Sequence, residues 1–201
     1  MIAKLALGIA LAVALTGCTW ERTNRLGPIN PWPPRASAGK PRSVALRIYG
    51  TKRFEGAPSE VPTLELVTWN DVAMRAYGES KLFSSVASTW EPAEIIAEIS
   101  ISKSTGTLKA LPMLVGSLPF RQTDIQMRTR FRSADGSLLR LVELSEAIRS
   151  IGFFFTPPTQ ESEDSLRAIL YDLYRATLIQ AASSGVLKLE PSGETETEEK
   201  S

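Results

Sequence analysis

From Ser43 the chain alternates: Val44, Leu46 and Ile48 fall on one side of an extended backbone, and Ala45, Arg47 and Tyr49 on the other. Period two of this kind predicts a strand buried on one face. Residues 50–62 lack periodicity and carry Gly56, Pro58 and Pro62, so a loop is expected. Leu66, Trp69, Val72, Ala73, Ala76 and Tyr77 then recur at helical spacing. With Pro62 before Thr63 as a start and a left-handed glycine cap between residues 78 and 80 as an end, they predict a first helix. Residues 81–86 read as an edge segment or turn, with Phe83 and Val86 packed under the helix end. Alternation returns over residues 94–102, where Ile95, Ala97, Ile99 and Ile101 share a face.

The clearest strand covers residues 122–133, with Thr123, Ile125, Met127, Thr129 and Phe131 on one side and Arg128, Arg130 and Arg132 among the polar positions opposite. Ala134-Asp135-Gly136 signals a hairpin. A two-residue Asp-Gly turn would pair Phe131 with Arg140 and mix the faces. A three-residue loop with Gly136 left-handed pairs Phe131 with Leu139 and Thr129 with Leu141, and sets Arg140 opposite Arg130; it is the one expected, because a slip of one residue exposes a whole apolar face. Residues 142–148 fit a strand or a helix, and Phe153-Phe154-Phe155 before Pro157-Pro158 fits a short strand. Leu166, Ile169, Leu170, Leu173, Thr177 and Ala181 then form a helical stripe that starts near Ser162 and ends at Gly185, with Glu163 and Asp164 at the positive end of the helix dipole. Residues 186–189 suggest a short strand or packed arm. The glutamate-rich residues 190–201 have too little apolar content to fold.

Residues 107–120 break the alternation, with Leu108, Leu111, Met113, Leu114, Val115, Leu118 and Phe120 crowded among Pro112, Gly116 and Pro119. Two readings stand: a buried strand or core-filling loop, or an apolar docking loop centred on Leu111, Met113, Leu114 and Val115 that meets a membrane or partner.

The other apolar concentration is N-terminal. Lys4 precedes a run from Leu5 to Leu15, followed by Thr16, Gly17 and the only cysteine, Cys18. A basic start, a short apolar run and small residues form a signal-peptide pattern, and the run is shorter than the roughly 20 residues a membrane-spanning helix needs. Leu15-Thr16-Gly17-Cys18 resembles the lipobox of bacterial lipoproteins. That resemblance implies cleavage before Cys18, diacylglycerol on its sulfur, a fatty acid such as palmitate on the new amino terminus, and residence in the cell envelope. Thr19 after the cysteine, rather than Asp, implies the outer membrane facing the periplasm in a Gram-negative cell.

Composition narrows the chemistry. Apolar residues make up 43% of 201, enough for one domain with a core. With Cys18 lipidated no thiol remains for a disulfide. There is no histidine, which excludes Ser-His-Asp and Cys-His catalysis and removes the commonest zinc ligand. Carboxylates such as Asp71, Glu79, Glu94 and Glu98 are more simply solvated than paired for acid–base work; no catalytic residue, metal or cofactor is expected. The net charge of +1 is polarised: residues 19–42 carry Arg22, Arg25, Arg35, Lys40 and Arg42 against Glu21, and residues 190–201 carry five glutamates against Lys200. Five prolines in residues 19–42 predict an extended tether, either attracted to anionic head groups or simply solvated.

The division expected is a signal peptide over residues 1–17, lipidated Cys18 and tether over 18–42, an α+β domain over 43–189, and an acidic tail over 190–201. The domain should hold one mixed or antiparallel sheet with two main helices on one face. Its topology loosely resembles small envelope lipoproteins such as the curli-secretion and peptidoglycan-synthase-activator lipoprotein families. The ridge of Arg128, Arg130, Arg132 and Arg140 needs neutralising, either by Glu94 and Glu98 or by an external polyanion, phospholipid or acidic partner. Nucleic acid is not expected, because no stacking aromatics interleave these arginines. The function expected is that of a noncatalytic anchored lipoprotein working through an envelope protein partner or self-assembly. The alternative is a lipid- or polyanion-binding part of an envelope transport system.

Overall fold

The computed structural model describes residues 19–34, 40–88, 91–113, 116–151, 160–185 and 187. Among these residues seven strands form one open mixed sheet: β1 (Thr19–Arg22), β2 (Arg42–Phe54), β3 (Ala57–Ser59), β4 (Phe83–Ser88), β5 (Ile95–Met113), β6 (Gly116–Ser133) and β7 (Leu138–Ile151). Their order is β1-β7-β6-β5-β2-β3, with β4 also on β2. Helices α1 (Thr63–Ser80) and α2 (Gln160–Ser183) complete the fold, which is α+β as expected.

Alternation built the core. Val44, Leu46, Ile95, Ala97, Ile99, Ile101, Ile125, Met127 and Phe131 are buried on one sheet face, against Trp69, Ala73, Ala76 and Tyr77 of α1 and Ile169, Leu170, Leu173, Tyr174 and Leu178 of α2. Tyr77 stacks on Phe83 at 5.6 Å and meets Tyr174 edge-on at 6.3 Å. The Tyr174 hydroxyl donates to the Trp69 carbonyl at 3.2 Å, so the ring that joins the helices leaves no buried polar tip unpaired. Gly50 lets α1 lie this close: a Cβ there would come within 2.7 Å of Trp69 and 2.9 Å of Leu66. α1 carries the chain from β3 to β4, which runs parallel to β2 as the expected edge segment.

Four expectations are corrected. The loop over 50–62 is in part a hairpin, since β2 continues to Phe54 and turns through Glu55 and Gly56, both at positive φ, into β3. Lys81, at φ 55°, takes the left-handed position that closes α1, and Gly78 stays inside the helix.

The third correction is at the β6–β7 hairpin. Its three-residue loop is as expected, closed by Ser133 N to Ser137 O at 3.0 Å with Gly136 at φ 89°. A register shift then follows between Phe131 and Arg132, so Phe131 pairs with Arg140, Arg130 with Leu141 and Thr129 with Val142. An unshifted ladder would turn Glu143 and Ser145 toward the helices. The bulge instead presents Val142, Leu144 and Ile148 there. Arg140 consequently shares a side with Val142 and leaves the ridge.

The fourth correction removes most of the tether. Residues 19–22 are an edge strand, with Thr19 paired to Ile151 and Arg22 to Ile148. The following segment packs on the body: Leu26 and Trp32 lie against the core, Pro34 is buried, and the Arg175 guanidinium sits 5.0 Å over the Trp32 ring while donating to the Ile29 carbonyl. Prolines rule out a regular ladder but not packing.

Residues 107–113 and 116–120 form strands rather than a loop. They continue β5 and β6 as a two-stranded arm, with Leu111 paired to Leu118 and Met113 to Gly116. Among the described residues β2 accompanies β5 only to Thr105 and β7 accompanies β6 only from Phe120, so the arm runs past both. Leu114 and Val115, Cys18, Phe153–Phe155 and the acidic tail lie outside the described residues.

Candidate interaction surfaces

Helices cover one sheet face, and no described helix covers the other, the open face. Its side chains form rungs set by strand register: Tyr49, Ser100, Arg128 and Glu143 in one, Arg47, Glu98, Arg130 and Leu141 in the next, and Thr51, Ser102, Gln126 and Ser145 on the far side. Tyr49 is 51% exposed. Beside it runs a trough of about 560 Å³ floored by Ser100, Ser102 and Gln126 and walled by Tyr49 and Arg128.

Most of the arginine ridge is neutralised internally. Arg128 Nε lies 2.8 Å from Glu143, and Arg132 Nε lies 3.0 Å from Glu98. Arg130 faces Glu98 across the strands without closing an ion pair with a described carboxylate. Glu94 does not join the ridge; it accepts from the Ser43 backbone N–H at 3.0 Å. The candidate acid–base carboxylates are dispersed: Asp71 is exposed on α1, and Glu79 binds Arg75 and the Tyr171 hydroxyl. Among the described residues no group of three metal-ligating side chains converges.

Two ion clusters escaped sequence reasoning. Glu146, fully buried, accepts from Thr23 Oγ1 at 2.5 Å, Arg22 Nε at 3.2 Å, and the backbone N–H groups of Ala147 and Arg25. Arg22 reaches on to Asp172 of α2 at 2.5 Å. Burial works to raise the Glu146 carboxyl, but the Thr23, backbone and Arg22 hydrogen bonds outweigh it and hold the group below its ordinary range. This cluster clamps β1 to β7 and α2. The only local signal was a polar residue inside the apolar alternation Val142, Leu144, Ile148.

The second cluster sits between the first turns of the two helices, where Glu65 bridges Lys103 at 2.6 Å and Lys52 at 3.3 Å. Burial again pushes the carboxyl up, and Lys103 and then Lys52 bring it net down. The groove above is about 530 Å³ and mostly apolar, lined by Phe54, Leu64, Trp69, Ile148 and Leu166. Phe54 is 47% exposed and Leu64 77%.

No family model matches the chain, and no curated protein matches it significantly. Solved structures resemble it. A neuraminyllactose-binding hemagglutinin homolog from Helicobacter pylori aligns over 75% of this chain and 88% of its own at 10% identity, TM-score 0.43. A minor lipoprotein from Acinetobacter baumannii aligns over 71% and 94% at 14% identity, TM-score 0.39. Rare lipoprotein B from Shewanella oneidensis aligns over 72% and 96% at 9% identity, TM-score 0.39. At scores this low the likeness is one of chain path in outline.

Proposed function

We propose that this chain is a noncatalytic lipoprotein of the bacterial cell envelope, anchored through Cys18, that binds a partner protein with the open face of its sheet. The anchor rests on Leu15-Thr16-Gly17-Cys18, and the outer membrane is the address that Thr19 implies. The observation that carries the binding role is Tyr49, half exposed beside Arg128 on a sheet face no described helix covers. Aromatic and arginine side chains dominate protein interface energetics, and the trough floor of Ser100, Ser102 and Gln126 offers a partner hydrogen-bonding groups beside them.

A photo-crosslinking residue at position 49, used in intact cells, should capture a discrete protein. Tyr49→Ala with Arg128→Ala should weaken that capture by about tenfold or more, with little change in melting temperature. Copurifying lipid without a captured protein would favour the second reading, a lipid- or polyanion-binding transport component. Arg130, lacking an ion pair with a described carboxylate, is what supports that reading; the pairing of Arg128 and Arg132 counts against it.

A further inference from the structure

We infer that the end of the molecule bearing the β5–β6 arm faces a phospholipid bilayer, and that the last rungs of the arm enter its interfacial zone. The inference deepens the proposed function and rests on its lipid anchor.

Strand register fixes the geometry. Thr19 pairs with Ile151, Ile151 with Phe120, and Phe120 with Lys109, so β1, β7, β6 and β5 share one rung at the base of the arm. Traced backward, β1 leaves that rung in the direction the arm extends, because it is antiparallel to β7 and β7 to β6. Cys18 adjoins Thr19 in the sequence. β1 therefore starts, next in sequence to the residue proposed to carry the lipid, at the rung from which the arm extends.

Described side chains at this end agree. Among the described residues six large apolar side chains are exposed, and three of them, Phe54 at the end of β2 with Leu64 and Val67 at the start of α1, lie toward this end at 47%, 77% and 49%. α1 runs back from this end, which puts its first turn near Phe54, whose partner Thr105 lies three rungs below the arm base. An apolar arm, an apolar helix start and a lipid site on one end define a surface suited to a bilayer.

The arm's length sets its depth. Residues 107–113 extend about 23 Å at roughly 3.3 Å per residue. A spanning strand needs about 9–11 residues, and lipid-exposed strand edges are not tolerated in hydrocarbon. Interfacial burial reaches only about 5–10 Å, which takes in the pairs Leu111–Leu118, Pro112–Ser117 and Met113–Gly116. At that depth hydrated head groups satisfy the outer backbone edges, and Pro112 brings no N–H to satisfy.

The test uses the full lipidated protein, purified from membranes and reconstituted in phosphatidylethanolamine–phosphatidylglycerol vesicles. Acylation blocks the sulfur of Cys18, so Leu118→Cys and, separately, Gln126→Cys on the open sheet face each take a single environment-sensitive dye. The label at 118 should be blue-shifted and quenched several-fold more by nitroxide lipids than the label at 126. Equal quenching overturns the inference. A blue shift at 118 without lipid quenching puts protein over the arm and also overturns it. Mass spectrometry of the N-terminal peptide reports the anchor separately. If that sulfur is free, the anchor reading fails, and the two labels are read with Cys18→Ser on the same vesicles, with the same outcomes for the arm.

Discussion

The two halves of the β5–β6 hairpin share one ladder and differ in everything beside it. In the body half, β2 and β7 flank the pair and two helices cover one side, and the sequence alternates, with Ile95, Ala97, Ile99 and Ile101 opposite polar positions. In the arm half neither neighbour continues among the described residues, and the sequence loses alternation. Alternation records that a strand has one dry side and one wet side. Where a two-stranded arm carries apolar residues at successive positions, the sequence records surroundings that β2 and β7, as described, do not supply.

The sharpest way to break this contrast is one large truncation in each half. Phe131→Ala, at 0% exposure in the body, should lower unfolding free energy by about 3–5 kcal/mol. Leu118→Ala in the arm should cost under about 0.5 kcal/mol in solution. Denaturant titrations compare them, and similar losses would return the arm to the core.

Next in size is the clamp that gives the body half its outer neighbour. Glu146→Ala should cost about 2–3 kcal/mol, below the usual range for a broken buried pair because the Arg22 side chain is 28% exposed. The carboxyl is depressed from its unfolded value of 4.5, so its contribution is present above that pH and lost as pH falls through the depressed value. Denaturation midpoints from neutrality to about pH 3 should fall less steeply in Glu146→Ala than in the parent; parallel curves would mean the carboxyl carries no such load. Gly50→Ala, which puts a methyl against Trp69, should cost about 1–3 kcal/mol by overpacking the α1 interface, measured by thermal unfolding.

What was legible in the sequence was whatever depends on one-sided burial. β2, the body half of β5 and β6, and both helices follow from Val44-Leu46, Ile95–Ile101 (alternating), Ile125–Phe131 and the stripe from Leu166 to Ala181. β1 was illegible because Thr-Trp-Glu-Arg has no pattern of its own and its anchoring is remote: Arg22 and Glu146 lie 124 positions apart. The bulge at the β6–β7 hairpin was hidden for a related reason. Turn chemistry at Gly136 gives the loop, but only the demand that Val142, Leu144 and Ile148 face the helices gives the register beyond it. On the open face the sequence supplied Arg128, Arg130 and Arg132 correctly, while Arg140 depended on that register, and Tyr49 drew no notice as one polar-side residue of a strand.

The attachment of β1 also has a mechanical meaning. With the lipid proposed for Cys18 held in a bilayer, drag on the body pulls β1 along its own axis. That loads the pairs from Thr19–Ile151 to Arg22–Ile148 in shear, all at once, with the Arg22 ion pairs to Glu146 and Asp172 as the final stop. Such a joint resists tension as a bolt does, and it yields only when a whole strand slides free.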